Sequence, residues 1–303
     1  MNLITPSKIL NTLESFIVTY ERKWFNSTTV ILEKLFRCEL NKLPEKVLRY
    51  KFMHLMSKRN HWYGKCLLNN PLKTCVQRLT DICRSSKIRA IKSVRIHRRD
   101  DILKYLLTRL PGLKIIHLVR DPRGIVPSRR RLEHFTSPIK HAASLCKDME
   151  LDICKNIPLF NSTPKRIHKV IYEEMAENPA STIRKVYEFL QEKPPEQMIT
   201  SIVKKCSANA GSGAYGTSRT NSSKTAYAWR QTIPFELARF IDDHCGVIYR
   251  YGGYIRLQSD SQLKNSAYKT RNNGQQSFLP QMLTLKRHVH KGKHTYENGS
   301  SAA

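Results

Sequence analysis

Leu113-Lys114-Ile115-Ile116-His117-Leu118-Val119-Arg120-Asp121-Pro122-Arg123-Gly124-Ile125-Val126-Pro127-Ser128-Arg129-Arg130-Arg131 decides the fold class. Its first half is a short apolar run rich in β-branched residues, the pattern of a strand buried in a parallel sheet. At Arg120 the chemistry changes. Asp121 is a good N-cap, Pro122 is tolerated at a first helical position because its missing N–H would be unpaired there, and basic residues follow. The result is a strand-to-helix turn carrying positive charge. In open α/β sheets ligands bind beyond the carboxyl ends of strands, and a helix N-terminus adds unpaired N–H groups and the positive end of a dipole. An anion, most simply a phosphate, is the natural occupant. The competing reading is a capped turn with solvated arginines, and the surrounding sequence decides between them.

Upstream, Ile88 to Ile96 (IRAIKSVRI) alternates as a strand does, and Ile102, Leu103, Leu106 and Leu107 follow as an amphipathic helix stopped by Pro111-Gly112. The interval before Leu113 is long enough for a right-handed parallel crossover, so a βαβ unit is expected to end at the quoted stretch. Downstream, residues 139–157 read as a helix, Arg166 to Tyr172 as a third strand, and Pro179 opens a helix through Leu190. Strands alternating with helices predict an α/β fold with a mainly parallel sheet. Residues 1 to about 85 read as helical and basic, and their apolar stripes, together with Trp62 and Tyr63, are expected to pack a core before they line any sugar-binding face.

A chain of 303 residues can bury a substantial core. Its 53 Lys and Arg against 24 Asp and Glu give a formal net charge of +29, a field that attracts polyanions, anionic lipid or acidic small molecules without choosing among them. The basic residues are spread through apolar-patterned segments, so a nucleic-acid-binding arm is not the leading expectation. None of the eight cysteines has zinc-knuckle spacing, and no metal site is expected; disulfides and reduced core thiols are equally compatible with the count. No segment approaches the roughly 20 apolar residues of a membrane span.

Residues 207–230 form a Gly- and Ser-rich stretch too long for a plain connector, expected to be either a functional or a flexible loop. Within it Arg219, Lys224, Trp229 and Arg230 offer cationic donors beside an aromatic ring, which suits a phosphate and its attached base. Pro234 then opens a helix that Gly252-Gly253 ends. From 258 to 303 the chain is polar and aperiodic and is expected to be a disordered tail beyond a domain spanning 1–257.

Three blocks resemble the Golgi carbohydrate sulfotransferases that 6-O-sulfate N-acetylglucosamine or galactose: KIIHLVRDPRGIVPSRR at 114–130, VIYEEMAENPASTIRKVYEFL at 170–190 and YGTSRTNSSKTAYAWRQTIPF at 215–235. With their intervals they cover about 28–254. The resemblance implies a P-loop-NTPase-like sulfotransferase fold and the donor 3′-phosphoadenosine 5′-phosphosulfate. It places Arg120 and Ser128 on the donor's 3′-phosphate and makes Arg219, Lys224, Trp229 and Arg230 the residues that close over the nucleotide. It also implies a glycan acceptor and a Golgi lumenal location.

Pro127 departs from the expected helix, which should kink there or start late. A second departure is the first strand with its Gly- and Ser-containing 5′-phosphosulfate loop, for which no pattern occurs. The chain is therefore expected to be an N-terminally truncated domain of low activity, since losing even one such backbone donor can cost on the order of 100-fold in rate. The general base is unassigned, with Lys92, Arg95 and Glu173 as acceptor-side candidates. The competing class is a non-catalytic basic protein that binds sulfated glycans or nucleic acid, marked by salt-sensitive, nucleotide-independent affinity. A P-loop kinase is excluded by the lack of any Walker pattern.

Overall fold

A computed structural model describes residues 25–49, 61–92, 102–130, 137–207 and 221–272, and the chain divides into two compact units between Leu113 and Lys114. The amino-terminal unit is helical, with α1 (Phe25–Phe36), a 3-10 turn (Leu40–Lys42), α2 (Glu45–Leu48), α3 (His61–Asn69), α4 (Leu72–Arg84) and α5 (Ile102–Arg109). Cys75, Val76 and Leu79 recur at helical spacing on α4 and bury against Leu40, Leu43, Leu48 and Tyr63. Tyr63 is fully enclosed and its hydroxyl donates to the Leu48 carbonyl at 3.2 Å, while Arg78 covers the Trp62 ring at 4.7 Å. Both rings are thus packing groups. Disulfides Cys38–Cys83 and Cys66–Cys75 cross-link this small core. Glu33 joins α1 to α5 by accepting from Arg37 at 2.9 Å, Tyr105 at 2.7 Å and Arg109 at 3.2 Å.

The strand expected over 88–96 is not formed in its described part. Residues 87–92 are irregular and exposed, with Ile88 and Ile91 in solvent. Lys92 interrupts the apolar set of the alternation, and no described strand pairs with the segment; its remaining residues lie outside those described. The crossover unit inferred from it is withdrawn accordingly.

The carboxy-terminal unit carries the α/β arrangement. In order come β1 (Ile115–Val119), α6 (Pro122–Arg130), α7 (Pro138–Ser162), β2 (Ile167–Ile171), α8 (Tyr172–Glu177), α9 (Pro179–Leu190), α10 (Glu196–Ser207), α11 (Ser222–Tyr227), a 3-10 turn (Ala228–Gln231), α12 (Phe235–His244), α13 (Gly246–Gly252) and α14 (Asp260–Lys264). β1 and β2 pair in parallel, from Ile115 opposite Ile167 to Val119 opposite Ile171. The α6–α7 connection supplies the long crossover that parallel pairing requires.

Ser137 caps α7 by accepting the Lys140 N–H, with Pro138 at the first helical position. Ala142, Leu145, Ile153, Ile157 and Phe160 of α7 then face α12 and α13, and the disulfide Cys146–Cys245 fixes that contact. β1 is covered on one face only among the described residues. His117 packs against Phe160 and Tyr251, with its Nδ1 3.0 Å from the Tyr251 hydroxyl, whereas Ile116 and Leu118 are 44% and 52% exposed. The run expected to be buried on both faces is therefore half-covered.

Two further expectations need correction. The stretch beginning at Ser222 is helical, and Asn221 caps it by accepting the Lys224 N–H at 2.8 Å; residues 208–220 lie outside those described. The chain between Gln258 and Asn272 is ordered. Ser259 caps α14, Leu263 is fully buried, and Tyr254 bridges to Arg271 in antiparallel fashion. Composition hid this segment because its order comes from tertiary hydrogen bonds and one anchor leucine. No helix of the described residues is long and apolar enough to cross a membrane.

Candidate functional site

The turn after β1 is built as its residue types dictate. Asp121 is 1% exposed and its Oδ1 accepts the Arg123 N–H at 2.9 Å, closing the first turn of α6 as an N-cap. α6 begins at Pro122 and runs through Pro127 to Arg130, so the proline does not delay the helix. Arg120 lies at the end of β1 with its guanidinium over the Tyr172 ring at 4.4 Å. Its Nε is buried and has no acceptor among the described residues. The same guanidinium lies against Gly124, where a Cβ would meet Arg120 Nε at 3.4 Å and Trp229 Cδ1 at 3.1 Å. A side chain here would press most tightly on Trp229 and touch the arginine at ordinary contact distance. Ser128 stands one turn beyond Gly124 on the same side of α6, half-buried.

Arg123 has the opposite character. Its side chain is fully enclosed and is consumed by Asp121 at 2.8 to 3.2 Å, Asp242 at 3.2 Å and the Ile255 carbonyl at 2.9 Å, between the rings of Trp229 and Tyr249. Burial by itself disfavours its charge, but the Asp121 carboxylate leads the groups that outweigh this and hold the pKa above the ordinary arginine value. Burial raises the Asp242 pKa, and the Tyr249 hydroxyl and the Leu257 N–H, at 2.7 Å, both donate to its carboxylate. This buried network ties α6 to α12 and to the chain after α13.

Glu173, one residue beyond Tyr172, is 1% exposed and accepts the Asp121 N–H at 3.1 Å and the Tyr254 hydroxyl at 3.0 Å. Burial, reinforced by the Asp121 carboxylate, pushes its pKa up to about 7. It is enclosed and so does not reach an acceptor as the acceptor-side candidate was expected to. Lys92 lies in the exposed irregular segment of the other unit, and Arg95 is outside the described residues.

The residues expected to close over a nucleotide separate. Arg230 is scaffold: its guanidinium donates to the carbonyls of Leu263 at 2.8 Å, Tyr268 at 2.9 Å, Gln262 at 2.7 Å and Asn265. Four of its five N–H groups are thus spent on backbone carbonyls. Trp229 is 4% exposed, wedged between Arg123 and Gly124. Both are corrected to core roles, for which their burial is the physical reason. Lys224 is exposed on α11, and Arg219 lies outside the described residues. Tyr172 lies at the strand end where the sequence places it, whereas one participant had not been anticipated, Gly124. The sequence offered Gly124 as a helix-interior glycine, a costly residue that often marks a close approach. Among the described residues no group of three or more His, Cys, Asp or Glu is placed to hold a metal ion.

An arginine whose buried Nε has no acceptor among the described residues thus stands at the carboxyl end of a parallel strand, the edge at which α/β sheets bind ligands. The chain belongs to the sulfotransferase family, whose domain model matches residues 28–266 and so runs through α14. Among curated proteins it is 28% identical over 206 residues to carbohydrate sulfotransferase 1 of Rattus norvegicus, covering 62% of this chain and 50% of that protein. Human carbohydrate sulfotransferase 1 is 27% identical over 204 residues, covering 61% and 49%. Human carbohydrate sulfotransferase 3 is 28% identical over 206 residues, covering 61% and 42%. The chain spans about half the length of the curated relatives it matches. No solved structure matches it.

Proposed function

We propose that the chain binds 3′-phosphoadenosine 5′-phosphosulfate and serves sulfuryl transfer to a sugar hydroxyl, the 6-hydroxyl of N-acetylglucosamine or galactose, in the Golgi lumen. The observation that carries the donor reading is Arg120. Arg123 and Arg230 are each consumed by carboxylates or carbonyls, and Arg271 is paired with Glu174 although its Nε also lacks an acceptor, whereas Arg120, whose buried Nε has no acceptor among the described residues, is held only by the Tyr172 ring there. A phosphate there would accept from the guanidinium, with Ser128 as a neutral donor. Lys224 and Arg219 are the remaining cations proposed to approach the nucleotide. When bound, the donor supplies an activated sulfuryl group for in-line displacement; the protein residues hold its 3′-phosphate in register. The glycan acceptor rests on the carbohydrate sulfotransferases that the chain resembles. Three disulfides support folding in an oxidising compartment.

Isothermal titration of 3′-phosphoadenosine 5′-phosphate tests the reading. Binding is expected to weaken at least tenfold in Arg120→Ala and less in Ser128→Ala. Equal affinity in Arg120→Ala refutes the site. Affinity for sulfated glycan that falls steeply with salt and ignores the nucleotide would instead identify the non-catalytic basic protein.

A further inference from the structure

The turn after β1 is held by the buried carboxyl group of Glu173. We infer that Glu173 is a proton-linked positioning residue: it fixes the Asp121 backbone beside Arg120, and its ionised fraction takes up a proton from solvent when an oxyanion docks on Arg120. This rests on the donor reading above.

The geometry carries the inference. Glu173 Oε1 accepts the Asp121 N–H and Oε2 accepts the Tyr254 hydroxyl, so one carboxylate bonds the residue next to Arg120 to the chain after α13. Neither contact needs the negative charge. In the neutral acid the carbonyl oxygen still accepts from Asp121, and the new O–H donates to the Tyr254 oxygen after that hydroxyl rotates. The Asp121 N–H therefore keeps its acceptor in both protonation states, while the Glu173–Tyr254 bond reverses direction and the Tyr254 O–H gives up Glu173 as its acceptor.

The charges around Glu173 are otherwise engaged. On the turn, Asp121 pairs with Arg123. On α8, Glu174 meets Arg271 at 2.7 Å, and Glu177 takes the Tyr227 hydroxyl from α11 and lies 3.9 Å from Arg271. Lys169 on β2 donates to the Tyr251 carbonyl. Among the described residues Glu173 has no arginine or lysine bonded to it, and Asp121 beside it is a like charge. A phosphate on Arg120 adds further negative charge, which favours the neutral acid. Its pKa of about 7 leaves the free protein half-ionised near neutrality, where such linkage is largest. By reciprocity, acidification from pH 8 to 6 strengthens nucleotide binding.

Glu173→Gln reproduces the neutral state: its carbonyl accepts from Asp121 and its amide donates to Tyr254. Calorimetric titration of 3′-phosphoadenosine 5′-phosphate at pH 7, in PIPES and in Tris, measures the protons exchanged. The full chain is expected to take up as much as about half a proton more than Glu173→Gln, which should bind with a flatter pH profile. Equal uptake by both proteins, or equally steep profiles, overturns the inference. Should Glu173→Gln fail to fold, Tyr254→Phe takes its place. That variant removes one donor to the carboxylate, so the pH of greatest uptake should rise, and an unmoved maximum overturns the inference. Absence of binding by the full chain at pH 6 and at pH 8 instead removes the donor reading itself, a distinguishable failure.

Discussion

Arg230→Ala separates scaffold from nucleotide site most sharply. Arg230 donates to four carbonyls between Gln262 and Tyr268, and those of Gln262 and Leu263 belong to the last turn of α14, where carbonyls lack partners within the helix. Hydrogen bonds to a charged group contribute about 1.5–3 kcal/mol each, but four on one side chain do not add. Deleting a buried charged anchor and orphaning its acceptors is expected to cost about 3–5 kcal/mol. Arg230→Lys should recover only part of this, because an ammonium is a point charge without the planar fork that spans all four oxygens. Hydrogen exchange read by mass spectrometry localises the loss: protection should fall first across residues 258–272 and in the adjacent Trp229 turn. Nucleotide affinity at a temperature where the variant is folded should change less than in Arg120→Ala. Unchanged protection over 258–272, or lost nucleotide binding with unchanged stability, would refute the scaffold role and return Arg230 to the phosphate site.

Gly124→Ala places a methyl 3.1 Å from Trp229 Cδ1 and 3.4 Å from Arg120 Nε; calorimetry should show roughly tenfold weaker nucleotide binding and denaturation a loss of about 1–2 kcal/mol. Reducing the Cys146–Cys245 disulfide, or replacing both residues with alanine, reopens a 99-residue separation and should cost on the order of 4–5 kcal/mol in chemical denaturation. The Glu173 pKa is raised from 4.5 to about 7, so its contribution to stability is fully present below about pH 4.5 and is lost as pH rises through 7. The swing is about 3 kcal/mol, and Glu173→Gln should flatten the denaturation-derived stability slope between pH 5 and 7 relative to the full chain.

Where local chemistry was sufficient, the sequence was legible. The β1–α6 turn could be read residue by residue because the strand run, the Asp121 cap and Pro122 each act on the backbone nearest them. Pro179 marked a helix start for the same reason. The 88–96 stretch misled because alternation is only a half-condition for a strand, and no described neighbour supplies the other half. Composition also failed at 258–272, whose polar character conceals that Arg230, distant in sequence, satisfies its carbonyls.

The site residues divide along the same line. Arg120, Arg123 and Arg230 are alike as letters in basic, motif-like surroundings, and what distinguishes them is the partners that folding delivers. Asp242 and the Ile255 carbonyl come to Arg123 from beyond α11, the α14 carbonyls come to Arg230, and among the described residues Arg120 receives only the face of Tyr172. An aromatic face orients a guanidinium while leaving its donors in the ring plane unspent. Motif reading therefore places cations near a phosphate but cannot rank them. The ranking follows from which donors remain unspent after the scaffold is built, and here that is the arginine held by a ring instead of by an oxygen.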